Sequence, residues 1–367
     1  MKRLVLFCLF LAASLLSQAQ STVYAMHPLY VPKSATTSVG ELAAYIQSQT
    51  NSEEDKTLLA YQWVINNIEY STDSVLSINW HSDFNEKAEA TLRRRKGVCD
   101  NFSSLFVALL QKMNIPATVV YGMSNLSART GHGWTAFYSN GSWWLSDPTW
   151  DAGSHHQLFY FKQTPEVFIH QHWPFDPLWQ LAPTPINYAV FSGTEKKRNK
   201  AVIFPNVTDS ALAYLQSDSL QQYRAANRRI EQMGMNTDLL HTWHAANRMN
   251  IAMIDEERNE QMYNKAVEEV NEVSNLLNLF IQYRNKQFQP SKNEKNTRAM
   301  LQDVPTSLHK AKGFINLIGI GTPNYQYNTS ALEAKVEKLQ LQFVQQRSFL
   351  EQYFKRPLEK RDALFYR

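Results

Sequence analysis

Three residues stand in an order that suits nucleophilic thiol chemistry: Cys99, His132 and Asp147. Such chemistry needs a sulfur to attack a carbonyl, an imidazole to take the thiol proton, and a carboxylate to orient the imidazole. All three lie within Gly97 to Gly153, the stretch around which the chain is organised. The sequence has two cysteines, and Cys8 falls in an N-terminal segment expected to be removed. A mature chain with one cysteine forms no internal disulfide, and its lone thiol is either a buried inert side chain or a functional group. The neighbourhood of Cys99 favours function.

The elements that position these residues can be read from spacing. From Val98 onward, Phe102, Leu105, Phe106, Leu109, Leu110 and Met113 share one helical face, and the helix must stop before Pro116. Cys99 falls in its first turn, where unpaired backbone N–H groups and the positive end of the helix dipole lower a thiol's pKa. The same N–H groups can donate to an oxyanion. The run Arg93-Arg94-Arg95-Lys96 adds positive charge nearby. Four cations without interleaved aromatics read as a solvated turn, not a nucleic-acid site.

Three strands follow, over 117–123, 132–138 and 142–149, with Asn140-Gly141 signalling a type I′ hairpin. With those two as the loop, Ser139 faces Ser142, Trp134 faces Asp147 and His132 faces Thr149. His132 and Asp147 then project from one side as diagonal neighbours. A slip of one residue would part them. Upstream, a helix is expected over Val39 to Gln49, and a second from the Ser52 cap to about Tyr70 with Leu58, Leu59, Trp63, Val64 and Ile68 inward. Ser71 to Ala90 reads as a surface loop, and Gln20 to Ser38 as an extended leader.

Gly97-Val98-Cys99-Asp100-Asn101-Phe102-Ser103, Gly131-His132-Gly133-Trp134 and Trp144-Leu145-Ser146-Asp147-Pro148-Thr149-Trp150 resemble the three core motifs of the bacterial transglutaminase-like superfamily. Lys56 to Tyr70 resembles the family's preceding helix, and the similarity runs from about Val39 to Ala182, closing on His172-Trp173-Pro174 and Trp179-Gln180-Leu181. The resemblance implies an α+β, papain-like core, a nucleophile helix packed on an antiparallel sheet. In it Cys99 is the nucleophile, His132 the general base and acid, and Asp147 the orienting carboxylate. The calcium-dependent animal transglutaminases place tryptophan directly after the cysteine, whereas Asp100 stands here, so neither crosslinking nor calcium is implied. Gly133 replaces a common alanine, a change expected to be harmless.

Tyr70 is the candidate second oxyanion donor, the alternative being a half-buried tyrosine packed on the nucleophile helix. Trp143, Trp144, Trp150, Trp173 and Trp179 read mostly as core around the hairpin, with a substrate cleft as the other use. His155, His156, His170 and His172 fit no standard zinc spacing and read as loop histidines on a rim, so no metal or cofactor is expected. Sequons at Asn101, Asn125, Asn140, Asn206 and Asn328 matter only in a glycosylating host.

The chain begins MKRLVLFCLFLAASLLSQAQ, which reads as a secretory signal cut after Ala19, in preference to a retained anchor for which the apolar run is short. The expected setting is secreted or periplasmic, with no transmembrane segment in the mature chain. The net charge of +4, with both signs interspersed, suggests neither nucleic acid nor a membrane surface. The expected divisions are 1–19 signal, 20–38 leader, 39–205 catalytic domain and 206–367 helical bundle. Residues 186–205 are expected to form one or two strands. Helical tracts follow over Asp209 to Met233, Asp238 to Phe288, about Thr297 to Asn316, and Ser330 to Arg356. The bundle carries no catalytic motif and could serve a protein partner or self-association. The expected activity is amide-bond chemistry on a peptide or protein through a Cys99 acyl-thioester, hydrolysis ahead of transfer. The alternative is a non-catalytic binding module with a vestigial triad.

Overall fold

The computed structural model describes residues 29–71, 84–125, 131–154, 158–196, 202–319 and 327–366. Two helices open the fold: α1 (Val39–Gln49), capped by Ser38, and α2 (Glu53–Asn67), capped by Ser52. The chain leaves α2 earlier than expected, because Glu69–Tyr70 forms a strand, β1. Residues 72–83 of the expected surface loop lie outside the described residues, and its later part is helical: α3 spans Phe84–Arg94, burying only Ala88, Thr91 and Leu92. The basic run ends α3, turns at Arg95 with φ 57°, and enters β2 (Lys96–Gly97). The Arg95 guanidinium lies 4.5 Å above the Trp63 ring.

Helix α4 (Cys99–Lys112) is the centre of this part of the molecule. Its expected apolar face is buried, and Ser103, Ser104, Val107 and Ala108 are buried too, so the helix is enclosed on most sides. Each large apolar side chain buried along it contributes about 1.5–3 kcal/mol. The four-stranded antiparallel sheet runs β5–β4–β3–β6, from β3 (Ala117–Ser124), β4 (His132–Ser139), β5 (Ser142–Ser146) and β6 (His172–Pro174). Asn140 and Gly141 take φ of 51° and 77°, and Ser139 pairs with Ser142, as the turn reading requires. The ladder stops at Thr135 opposite Ser146, because Asp147 caps a short helix, α5 (Pro148–Gly153), with proline at its first position. The strand expected to reach Thr149 is therefore shorter.

Alternation along β4 divides two cores. Phe137 joins the α1, α2 and α4 cluster, whereas Trp134 and Ala136 join Trp143, Phe168, Leu178 and Trp179 on the opposite face. Between β5 and β6 lies α6 (Pro165–Phe168). After β6, residues 186–205 form no strand among the described residues; α7 (Tyr188–Phe191) starts there instead, capped by Asn187.

The remaining helices are α8 (Val207–Gln216), α9 (Ser219–Met233), α10 (Asp238–Asn285), α11 (Glu294–Ala299), α12 (Val304–Asn316) and α13 (Thr329–Lys355). Contacts divide the molecule into one unit running to Gln216 plus Arg229–Leu239, and a second of Ser217–Arg228 and Leu240–Arg367. The first thus takes in α8, beyond the boundary at 205 read from composition. Inside the second, Val270, Val273, Leu277 and Phe280 of α10 share a core with Val304, Leu308 and Ala311 of α12 and Val336, Leu339 and Phe343 of α13. Among the described residues no helix is long and apolar enough to cross a membrane.

Candidate active site

Cys99 is the first residue of α4, and the turn that presents it is fixed from both sides. The Asn101 side chain accepts from the Val98 N–H at 3.0 Å and donates to Thr91 at 3.1 Å. The sequon asparagine at 101 is thus committed to the helix start. Asp100 is buried and receives Lys87 Nζ at 2.7 Å and Tyr121 Oη at 2.5 Å. Ser103 Oγ donates to the Gly133 carbonyl at 3.1 Å, tying the helix to β4 beside the histidine. A Cβ at Gly133 would meet Tyr121 at 3.5 Å and the Asp100 backbone at 3.7 Å, ordinary contacts.

His132 opens β4 and is 8% exposed; Asp147 is fully buried. His132 Nε2 lies 2.6 Å from Asp147 Oδ2, and the Cys99 side chain is near enough to act on the charge of the imidazole. With Nε2 engaged by the carboxylate, Nδ1 is the nitrogen left for sulfur. Burial works against a charged His132, but the Asp147 carboxylate, then Cys99, outweigh it and raise its pKa to about 10. Burial likewise opposes an ionised Asp147, yet His132 and His172 together hold it well below the usual carboxylate range. Asp147 Oδ1 accepts the N–H groups of Thr149 and Trp150 at 3.0 and 3.1 Å. The structure therefore brings together Cys99, His132 and Asp147, with the thiol at a helix N-terminus.

Tyr70 is also close. Its strand runs parallel to β2, with Tyr70 opposite Gly97, two residues before Cys99. The side chain is 54% exposed, and partial burial followed by the Cys99 charge raises its pKa, so its hydroxyl remains a donor.

One neighbour differs from the sequence reading. His172 is not on a rim: it is 1% exposed, and its Nε2 lies 3.0 Å from the same Asp147 Oδ2 that His132 uses. His170 is exposed, and His155 and His156 lie outside the described residues. His172 comes from β6, which pairs with β3 so that Ser124 faces His172 while Gly122 faces His132. Gly122 has no room for a side chain: a Cβ would sit 2.2 Å from the Trp173 carbonyl and 2.6 Å from the Trp134 ring. The place of His172 in the closing stretch His172-Trp173-Pro174 was its only sequence signal, because its partner is 25 residues away.

Behind Asp147, Tyr61 Oη lies 2.8 Å from the Asp147 carbonyl oxygen and 2.6 Å from Asp151 Oδ2. Burial, with the Asp147 charge adding, pushes the Asp151 carboxyl up to about 7 against the hydrogen bonds from Tyr61, Tyr160 and Phe159. Trp150 stacks on His132 at 5.4 Å between centroids. Of the five tryptophans, Trp143, Trp173 and Trp179 are core, while Trp144 and Trp150 are half-buried.

His132, Asp147 and His172 offer ligand atoms within 4.8 Å of one another, close enough for a metal ion to be considered. The two ring nitrogens, however, touch Asp147 Oδ2 directly, whereas ligands about 2.0–2.2 Å from a zinc ion stand further apart. The set is a hydrogen-bonded one.

Residues 40–148 match the family model of the transglutaminase-like superfamily, a span that starts in α1 and ends just past Asp147. The chain carries a transglutaminase-like domain. Kyphoscoliosis peptidase from Mus musculus is 25% identical over 175 residues, covering 42% of this chain and 26% of that protein. The Homo sapiens protein of the same name is 25% identical over 170 residues, covering 41% and 25%. The chain thus spans about a quarter of the length of these curated relatives. A solved structure described as a candidate cysteine protease from Cytophaga hutchinsonii is 28% identical, covering 30% of this chain and 36% of that one, with a TM-score of 0.27. The transglutaminase-like domain therefore contains the Cys99 turn, His132 and Asp147, while His172 lies beyond the matched span.

Proposed function

We propose that this transglutaminase-like domain is a thiol enzyme that opens amide bonds of peptide or protein substrates, with water as acyl acceptor. One observation carries the reading: Cys99 stands beside an imidazole whose Nε2 is held by a buried carboxylate. Cys99 Sγ attacks the substrate carbonyl carbon while its proton resides on His132 Nδ1. The C–N bond breaks, the amine leaves with that proton, and an acyl-thioester remains. His132 then takes a proton from water, the hydroxide attacks, and the acid leaves as the thiol re-forms. The N–H groups of the α4 first turn and the Tyr70 hydroxyl receive the developing oxyanion. The name peptidase borne by the curated relatives supports an amide substrate.

The test is to incubate the full chain with a peptide library in heavy-oxygen water containing a fluorescent primary amine. New C-terminal carboxyls carrying the heavy oxygen, absent with Cys99→Ser, are expected. Amine incorporation without cleavage would overturn the hydrolytic reading, and no Cys99-dependent product of either kind would favour a binding module. The reading also includes export, resting on the N-terminal sequence. Sequencing the protein recovered from its native source should find a new N-terminus near Gln20, and an intact Met1 would remove this part.

A further inference from the structure

Asp147 Oδ2 has two imidazole neighbours, and the thiol mechanism uses one. The carboxylate is enclosed by four donors: the Thr149 and Trp150 N–H groups on Oδ1, and His132 and His172 on Oδ2. His172 is held there by packing, stacked on Phe168 at 4.0 Å and edge-on to Trp134 at 5.1 Å. Its Nδ1 makes no well-formed hydrogen bond, although the Phe168 backbone is near. A ring with one unpaired nitrogen and one nitrogen against a carboxylate is best satisfied as the neutral Nε2–H form. Burial, with the His132 charge adding, lowers the His172 pKa against the pull of Asp147 and so keeps it neutral.

We propose that His172 is a positioning residue: its neutral Nε2–H shares the Asp147 oxygen used by His132 and so weakens that carboxylate's hold on the His132 proton. The inference rests on the thiol-enzyme reading above. Two donors on one oxygen compete, and a carboxylate relieved of a donor becomes the stronger base. His132 must both keep a proton beside the thiolate and surrender it to the leaving amine. A lone Asp147 partner would favour keeping it. The ionisable groups facing this set are Cys99 from α4, Tyr160 after α5, and Asp151 with Tyr61 behind Asp147.

The probe is iodoacetate, an anion whose reaction with a thiolate is fastest while the adjacent imidazole is charged. Alkylation of Cys99 in the full chain is followed against pH by mass spectrometry of its peptide, which separates it from Cys8. The rate should fall on the alkaline side as His132 loses its proton. In His172→Phe, which keeps the ring stack, that fall should move up by about one pH unit. His172→Gln, which restores an N–H donor, should return it to the wild-type position. A fall that stays in place or moves down in His172→Phe overturns the inference. His132→Ala should abolish the alkaline fall, and a wild-type profile in that variant would instead overturn the thiol-enzyme reading. Should His172→Phe not fold, nitrogen-15 histidine spectra of the unsubstituted protein decide: a neutral Nε2–H tautomer at pH 7 supports the role, and a charged or Nδ1–H ring refutes it.

Discussion

Replacing Asp147 with asparagine changes one atom type and removes one charge, yet its cost can be worked from the four donors around the carboxylate. An amide has one acceptor end and one donor end, so whichever way it turns, two of the four N–H groups lose their acceptor. Each orphaned buried donor costs about 1–3 kcal/mol, and breaking a buried charged pair from one side costs about 3–5 kcal/mol. Taking about 3 kcal/mol, the first unit should melt about 6–12 °C lower. The cost depends on pH in a definite direction. His132 is raised to about 10 from an ordinary 6.5, so its contribution is complete below about pH 6.5 and lost as pH rises through about 10. Asp147 is lowered, so its contribution is present above its ordinary 3.8 and lost only on further acidification. Asp147→Asn should therefore trail the wild type most between about pH 4 and 6.5, with the gap closing toward pH 10. Calorimetry of the full chain at pH 5, 7 and 9.5 measures this. A gap that is constant with pH, or widens in alkali, would refute the assigned ion pair.

Three further outcomes follow from other parts of the site. Tyr70→Phe should lower turnover about 100-fold or more while leaving the Cys99 alkylation profile unchanged, since an oxyanion donor acts on the transition state and not on the thiol; steady-state rates on a cleaved peptide check it. Gly122→Ala should destabilise by about 1–3 kcal/mol or more and weaken the β3–β6 pairing that holds His172, read in urea melts, because its Cβ would collide with backbone. Asp151 is raised to about 7, so its proton stabilises the fold below the ordinary 3.8 and that contribution fades as pH rises through about 7. Asp151→Asn, which keeps a donor for Tyr61 Oη, should match the wild type near pH 3.5 and melt increasingly higher toward pH 8; equal melting temperatures at both would contradict the assignment.

Much of the core was legible because its signals are local. The α4 face repeats at helical spacing, and Asn140-Gly141 fixes a register that carries His132 and Asp147 to the same place. The misreadings share a cause: a tertiary contact, or a cap, overrode a pattern. Helix α3 shows only a thin apolar stripe in a polar sequence, and is held by packing of Ala88 and Leu92 that the stretch does not announce. Strands β1 and β2 have two residues each, too few for any alternation. The early end of β5 did have a signal, Asp147 followed by Pro148, which is a helix start and not a strand interior. His172 had only its place in the closing stretch His172-Trp173-Pro174, since its role beside Asp147 comes from the β3–β6 pairing.

The commitment of Asp100 has a consequence for how this site can change over generations. The residue directly after Cys99 looks, in a sequence, like a free choice. Here its carboxylate is anchored by Lys87 from α3 and Tyr121 from β3. Descendants of this chain should therefore exchange positions 87, 100 and 121 as a group: a lineage that loses the acid must also lose the half-buried ammonium, or carry it unpaired. Drift next to Cys99 is slowed by the scaffold beneath it, whatever selection acts on the face above.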